Sequence, residues 1–468
     1  MTGKRDFLVG KRVAVIGLGI EGVDVARYAA ARGAAITVID SKPESALTAR
    51  LRELEGLPIT YHLGTNDPAA VLASEIVFVS QGVPLSSPPV VAAREHGISV
   101  SSMTRWFFEH FPGPTIGITG SSGKTTTTSL VGAILETAGL PHIVGGNIGA
   151  GLLEQLDGMD ADTWAVVEVS HTQLQLLDTS PNIAAVLNVT PNHLDRFSWD
   201  DYLALKQRLV RFQTADDYVV LNLDNDESAA MAQLTQATVW HFTTGADLPG
   251  NGTFIRDDAI FLRRDAIEEM LLPLTDIPLR GSHNVQNVLA AAAIACTAGA
   301  NGEQIANAVR AFRPVPHRLE FVREVDGVRY VNDSIASTPE RALAGMRSFV
   351  EPLVLLLGGK DKDLPKEELA QEALQRCSGI VFFGADGPLL EAAVEAQAAT
   401  VAPEDRPQTV RVATLREAVQ TARTMADSGD IVLLSPACTS FDAYANFEER
   451  GEEFRRLVRE MQSEQDGG

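Results

Sequence analysis

Short apolar, β-branched runs alternate along this chain with longer stretches whose apolar positions recur every three or four residues. The first pattern is that of strands covered on both faces, and the second is that of helices with one apolar stripe. Lys11 to Ile16 reads as a strand and Gly17-Leu-Gly-Ile-Glu-Gly22 as a turn. A helix to about Arg32 follows, then a second strand, Ala35 to Ile39, closed by Asp40. The alternation continues with strands at Glu75 to Val79 and Ile98 to Ser101 and helices near Pro89 to Glu95 and from Thr104. Strands at Thr115 to Thr119, Trp164 to Val169 and Ile183 to Val189 come next, with helices at Thr126 to Ala138 and Trp199 to Phe212. Gly245 to Arg280 is turn-rich with short β runs, and an alanine-rich helix to about Thr297 and another at Glu303 to Phe312 follow it. From Leu319 the strand–helix alternation resumes and ends with a strand at Ile431 to Leu434. Such alternation predicts α/β architecture built on parallel sheets.

Two proline-rich breaks interrupt the pattern, Phe111-Pro-Gly-Pro114 and Arg313-Pro-Val-Pro-His-Arg318. They divide the chain into three expected domains, 1–112, 113–313 and 314–468, within the usual size range. Composition narrows the class. The net charge of −22 over 468 residues disfavours nonspecific nucleic-acid binding and anionic membrane surfaces, so an anionic ligand needs local positive sites. Cys296, Cys377 and Cys438 are far apart and odd in number, which argues against a disulfide framework or a cysteine metal site and for a reducing cytoplasm. No run approaches the ~18 apolar residues that span a bilayer. The expectation is a cytoplasmic monomer with no nucleic-acid or membrane partner.

The strongest chemical signal is Thr119-Gly-Ser-Ser-Gly-Lys-Thr-Thr126. A β-branched strand, a turn of small residues and a helix start bring backbone N–H groups to one point, and the helix dipole favours an anion there. Gly120, Ser121, Ser122, Gly123, Lys124, Thr125, Thr126 and Thr127 are the candidate nucleotide-binding residues. Lys124 would reach the β- and γ-phosphates and the Thr125 hydroxyl would ligate magnesium. The spacing departs from GxxxxGK[ST], since Ile118 stands five residues before Gly123. Glu168 lies near the carboxyl end of its strand, where ligands of open α/β sheets sit, and offers a second magnesium oxygen. Gly17, Gly19 and Gly22 with Asp40 have the form of a dinucleotide fingerprint, which alone would suggest NAD. By spacing alone His193 reads as a capping residue and Lys206 as a solvated helix lysine. Lys360-Asp-Lys-Asp363 is either a solvated turn or a cationic pocket for a carboxylate, and Arg318 could reach phosphate bidentately.

Taken together, Thr119–Thr126, Gly146-Asn-Ile-Gly149, Asn192-His-Leu-Asp-Arg196, Gly281-Ser-His-Asn-Val-Gln-Asn287 and Pro316-His-Arg318 resemble the Mur ligase family of ATP-dependent amide-forming ligases. Val331-Asn-Asp-Ser334, Leu356-Leu-Gly-Gly359, Leu434-Ser-Pro-Ala-Cys-Thr-Ser-Phe-Asp442 and Asn446-Phe-Glu-Glu-Arg-Gly451 look most like its D-glutamate-adding member. The resemblance implies a Rossmann-like N-terminal domain holding the UDP part of UDP-N-acetylmuramoyl-L-alanine, a central P-loop domain binding ATP, and a Rossmann-like C-terminal domain receiving D-glutamate. It makes the glycine fingerprint a UDP rather than an NAD site, with Gly19, Asp40, Ser41 and Lys42 near the nucleotide and Asn147 on the substrate. Asn284, Arg318 and Asp333 would close over ATP. Two magnesium sites are implied, Thr125 and Glu168 at one and His193 at the other, with Lys206 carbamylated so that it too serves magnesium. Lys124, His193 and Lys206 are the implied catalytic residues, and Lys362, Ser440 and Phe447 would surround D-glutamate. Departures are Ser121-Ser122, Gln81, His171-Thr172 and Ile335. The last stands where many D-glutamate members have lysine, and Lys360 is the candidate replacement. The rivals are another amino-acid ligase of the family or of the folylpolyglutamate type, a nicotinamide-dependent oxidoreductase and a noncatalytic nucleotide-binding regulator.

Overall fold

The computed structural model describes residues 7–146, 151–190, 197–279, 281–313, 316–349, 351–361 and 364–462. Three sheets carry the chain. The first contains β1 (Arg12–Ile16), β2 (Ala35–Asp40), β3 (Ile59–Leu63), β4 (Ile76–Val79) and β5 (Ser99–Ser101), in the order β3-β2-β1-β4-β5. Every pairing in it is parallel. The order reverses between β1 and β4, and a crevice opens at that point beyond the strand ends. Helix Ile20–Ala31 starts at this crevice because the glycine turn lets it: a Cβ on Gly22 would lie 2.1 Å from the carbonyl oxygen of Gly17.

The second sheet contains β6 (Thr115–Thr119), β7 (His142–Gly146), β8 (Trp164–Glu168), β9 (Ile183–Val186), β10 (Tyr218–Asn222), β11 (Thr238–Phe242), β12 (Asn251–Arg256), β13 (Ala259–Arg264) and β14 (Ile267–Pro273). Its order is β14-β13-β12-β11-β10-β9-β6-β8-β7. β6 is covered on both faces and all five of its residues are buried. The turn-rich segment before Arg280 forms more structure than its composition suggests. β12, β13 and β14 make an antiparallel meander that extends the parallel sheet, with tight turns at Asp257-Asp258 and Asp265-Ala266 in the left-handed region. The exposed, non-alternating start of β14 hid the third of these strands from a reading by apolar runs.

The third sheet, β15 (Glu320–Val325), β16 (Val328–Asn332), β17 (Leu353–Gly358), β18 (Cys377–Phe383), β19 (Gln408–Arg411) and β20 (Ile431–Ala437), runs β15-β16-β20-β17-β18-β19. Only β15 is antiparallel to its neighbour. Apolar side chains on its two faces form separate cores, Leu353, Leu355 and Leu433 on one and Val354, Leu356 and Val432 on the other. Alternation within single strands thus feeds both cores. The chain forms two compact units, 1–277 with 286–312, and 278–285 with 313–468. The first unit contains the first two sheets and the second unit the third. Among the described residues no helix is long and apolar enough to cross a membrane.

Candidate active site

In the first unit, β6 leads into the phosphate loop and the loop into helix Lys124–Thr137. Gly123, the residue before the helix, has φ +82°, and a Cβ there would meet Asn287 Oδ1 at 2.3 Å. Both demands select glycine. Partners on the next strand connection hold the loop. Ser121 N donates to the Asn188 carbonyl at 2.9 Å and Ser122 N to Asn188 Oδ1 at 2.9 Å. The Ser121 hydroxyl lies 3.0 Å from the Tyr202 hydroxyl and accepts from Thr190 N at 3.0 Å. Thr126 and Thr127 are buried, and Thr127 Oγ1 donates to Asn287 Oδ1 at 3.3 Å.

Chemistry gathers around this loop. Lys124 Nζ folds back to the Gly120 carbonyl at 2.9 Å. Thr125 Oγ1 donates to Glu168 Oε2 at 2.8 Å, and Glu168 ends β8 with 2% exposure. A hydroxyl beside a buried carboxylate at a phosphate loop is a hard oxygen donor set suited to magnesium. Lys206, on helix Trp199–Arg211, is not the solvated lysine that spacing alone suggests. It is 1% exposed, and its Nζ donates to Thr119 Oγ1 at 3.0 Å and to the Gly120 carbonyl at 3.1 Å. Burial, and then the Lys124 charge, pushes its pKa well below the lysine value against the opposing pull of Glu168. Burial thus favours the neutral, nucleophilic form of this amine. His193 and Asn147 lie outside the described residues.

At the first sheet, Asp40 is buried at the end of β2. Its Oδ2 accepts from Leu18 N at 2.7 Å within the glycine turn and its Oδ1 from Lys42 N at 2.8 Å. Ser41 and Lys42 are exposed beside it and Gly19 precedes helix Ile20–Ala31. Sequence reasoning passed over Glu21, whose carboxylate accepts from Gln81 and Gln173, and over Asn188 and Tyr202 behind the loop.

In the second unit, Asp333 follows β16 and is buried. Its Oδ2 accepts from Ser435 Oγ at 2.8 Å and its Oδ1 from Leu319 N at 3.2 Å. Burial lifts its carboxyl to about 7, against the pull of these bonds and of Arg318. Asn284 is buried, and burial and the nearby Arg318 charge lower the neighbouring His283 to about 4. Ser440 is buried, and the Phe447 carbonyl accepts from Ser334 Oγ at 2.8 Å. Lys360 is exposed, and its backbone exchanges two 2.9 Å hydrogen bonds with Thr439. Ile335 N donates to the His317 carbonyl at 3.1 Å, and Arg341 Nη1 lies 3.4 Å from the Ile335 carbonyl. Lys362 lies outside the described residues.

Arg450 is the residue of this unit that sequence reasoning quoted within a motif without giving it a role. It is 0% exposed on helix Phe447–Arg459. Its Nε donates to Ser334 Oγ at 3.0 Å, its Nη2 to the Ser334 carbonyl at 2.8 Å and its Nη1 to the Cys438 carbonyl at 3.1 Å. The guanidinium fork therefore ties the carboxyl ends of the adjacent strands β16 and β20.

Three family models match the chain. They are the Mur ligase MurD-like N-terminal domain over residues 11–102, the Mur ligase middle domain over 118–295, and the Mur ligase glutamate ligase domain over 317–438. The chain is 38% identical over 454 residues to the UDP-N-acetylmuramoylalanine–D-glutamate ligase of Koribacter versatilis, covering 97% of this chain and 98% of that one. It is 40% identical over 452 residues to the ligase of the same name from Symbiobacterium thermophilum, covering 96% and 98%. Among solved structures, the UDP-N-acetylmuramate-alanine ligase of Thermotoga maritima shares the fold with TM-score 0.60 at 17% identity, covering 96% of this chain and 99% of that one.

Proposed function

The chain belongs to the Mur ligase family, and from that premise we propose that it joins D-glutamate to UDP-N-acetylmuramoyl-L-alanine at the expense of ATP, in cytoplasmic peptidoglycan precursor synthesis. The observation that carries this reading is the convergence of Lys124, Thr125, Glu168 and a buried Lys206 on one phosphate loop, in a chain similar over nearly its whole length to ligases of that name. We take 1–112, 113–313 and 314–468 as the substrate, ATP and amino-acid domains. The protein works on soluble small molecules as a monomer.

An oxygen of the acceptor carboxylate attacks the γ-phosphorus of ATP, ADP leaves, and an acyl phosphate forms. The amine of D-glutamate then attacks the acyl carbon, loses a proton, and the tetrahedral intermediate expels phosphate. Lys124 and the backbone N–H groups of 120–127 offset charge on the transferring phosphoryl group. Thr125 and Glu168 would hold one magnesium ion and His193 a second, and these ions supply further charge neutralisation at the phosphates when bound. The neutral form of Lys206, which burial favours, would attack carbon dioxide through its nitrogen and lose a proton to solvent, and the resulting carbamate is a carboxylate that would serve magnesium where an ammonium ion could not. Asp40, Ser41, Lys42 and Gly19 hold the UDP end of the acceptor, and Asn147 holds its amino-acid end. Asn284, Arg318 and Asp333 hold ATP. Lys362, Ser440 and Phe447 receive D-glutamate, with Lys360 available to a carboxylate that Ile335 cannot pair.

The test is phosphate release from ATP with UDP-N-acetylmuramoyl-L-alanine, magnesium and bicarbonate, running D-glutamate beside L-glutamate, L-lysine, meso-diaminopimelate and glycine. Release with D-glutamate alone is expected. Release with a different amino acid would keep the ligase and discard the substrate, and no release despite ATP binding would leave a noncatalytic nucleotide binder.

A further inference from the structure

Glu21 stands in the first turn of helix Ile20–Ala31, inside the glycine fingerprint, and is 8% exposed. Its carboxylate accepts three hydrogen bonds from amides of two separate segments. Oε2 accepts from Gln81 N at 2.9 Å, and Oε1 accepts from Gln81 Nε2 at 3.0 Å and from Gln173 Nε2 at 2.8 Å. Gln81 follows β4, on the far side of the switch point of the first sheet from β1. Gln173 belongs to the segment that follows β8 of the second sheet.

The network continues from both glutamines. Thr172 Oγ1 donates to Gln81 Oε1 at 3.1 Å and lies 2.9 Å from Ser170 Oγ. Ser170 N donates to Gln173 Oε1 at 2.9 Å. Ser170 is two residues beyond Glu168. A continuous chain of hydrogen bonds thus runs from the glycine turn of the first sheet to Ser170, two residues along the backbone from the carboxylate beside Thr125. Both ends lie in one compact unit. A small open cleft lies on this network and is lined by Glu21, Ser80, Gln81, Ser102, Gln173 and Gln175 among others.

We propose that Glu21 is a positioning residue. Through Gln81 and Gln173 it sets the span between the first-sheet crevice and the phosphoryl-transfer centre at Glu168, so that one acceptor molecule held at its nucleotide end presents its carboxylate in register at the other. The inference rests on the reading of the acceptor given above. A carboxylate suits this task because it accepts from three donors at once, whereas a glutamine side chain has one acceptor oxygen and must leave donors facing each other. Misregister of about 1 Å at a reacting centre lowers rates by up to about a hundredfold.

The variants are Glu21→Gln and the exchange Glu21→Gln with Gln81→Glu, which returns a carboxylate to the same junction. Initial rates are measured with UDP-N-acetylmuramoyl-L-alanine and with the truncated acceptor N-acetylmuramoyl-L-alanine, together with KM for ATP. Glu21→Gln is expected to lower kcat/KM for the nucleotide acceptor by about thirtyfold. KM for ATP and the slow rate on the truncated acceptor, which has no nucleotide to anchor, should stay within twofold. The exchange should recover most of the loss. An equal loss on both acceptors would mean that Glu21 only supports the fold, and a fully active Glu21→Gln would mean that the span is set elsewhere. Either result overturns the proposal while the wild-type chain still ligates. A wild-type chain inert towards every acceptor would overturn the functional reading, and the positioning role with it.

Discussion

Replacing Arg450 by methionine removes a guanidinium but leaves an apolar side chain of similar length. The Ser334 carbonyl, the Ser334 hydroxyl and the Cys438 carbonyl then lose donors at 2.8, 3.0 and 3.1 Å. A buried acceptor left without its donor costs about 1–3 kcal/mol. Opposing this, burial of the charge is itself unfavourable and lowers the pKa of Arg450 to about 10. Three such losses, less the relief of no longer burying the charge, give a net expectation of about 3 to 5 kcal/mol. For a unit of this size that corresponds to a fall of roughly 10 °C in its melting temperature. Scanning calorimetry of the full chain should therefore show one transition moved down and another unmoved. The Ser334 and Cys438 segments also carry the expected amino-acid pocket, so KM for D-glutamate should rise by about tenfold or more in the variant at a temperature where it is folded. Arg450→Lys, with one compact head, should fall between. An unchanged melting temperature together with an unchanged KM would refute the reasoning, because it would mean that the two strand ends hold each other without the fork.

Three further predictions follow from the site. Lys206→Met should abolish phosphate release by about a thousandfold without lowering the melting temperature, because the buried amine already carries a desolvation cost; a stabilised but active variant would exclude the carbamate. Gly123→Ala forces a left-handed φ of +82° on a residue whose Cβ meets Asn287 at 2.3 Å, and should weaken ATP binding at least tenfold by calorimetry, with a loss of about 1–3 kcal/mol in stability. Asp333 has its folded pKa raised from 3.8 to about 7. Its protonated form is favoured on folding, so its contribution is fully present below about pH 4 and is lost as pH rises through 7. Urea unfolding of wild type against Asp333→Asn between pH 5 and 8 should show the wild type losing stability relative to the variant with rising pH, and parallel curves would remove the buried proton.

Much of this protein is written in local pattern. β6 and the glycine turn after it follow from a β-branched run and small residues at fixed offsets, which any surrounding fold must treat the same way. The same holds for Gly17 to Gly22 and Asp40, and for the strand–helix alternation of the C-terminal third. Conversely, helix periodicity alone assigned Lys206 to solvent, because a single lysine on an amphipathic helix carries no mark of what packs over it. Its burial against Thr119 and Gly120 depends on how that helix lies on the second sheet. The third strand of the meander, β14, escaped because its first four positions are all exposed and show no alternation of apolar and polar residues. Glu21 and Arg450 are the sharpest cases. Each reads as an ordinary charged helix residue, yet each is buried where separate chain segments converge, and its role comes from polar groups 60 and 152 residues away for Glu21 and 12 to 116 away for Arg450. Sequence by itself determined the elements, the phosphate loop and the family, because these rest on short-range spacing. Only the tertiary structure decided which charges are buried and what they join, because desolvation and hydrogen-bond partnership exist only once distant segments meet.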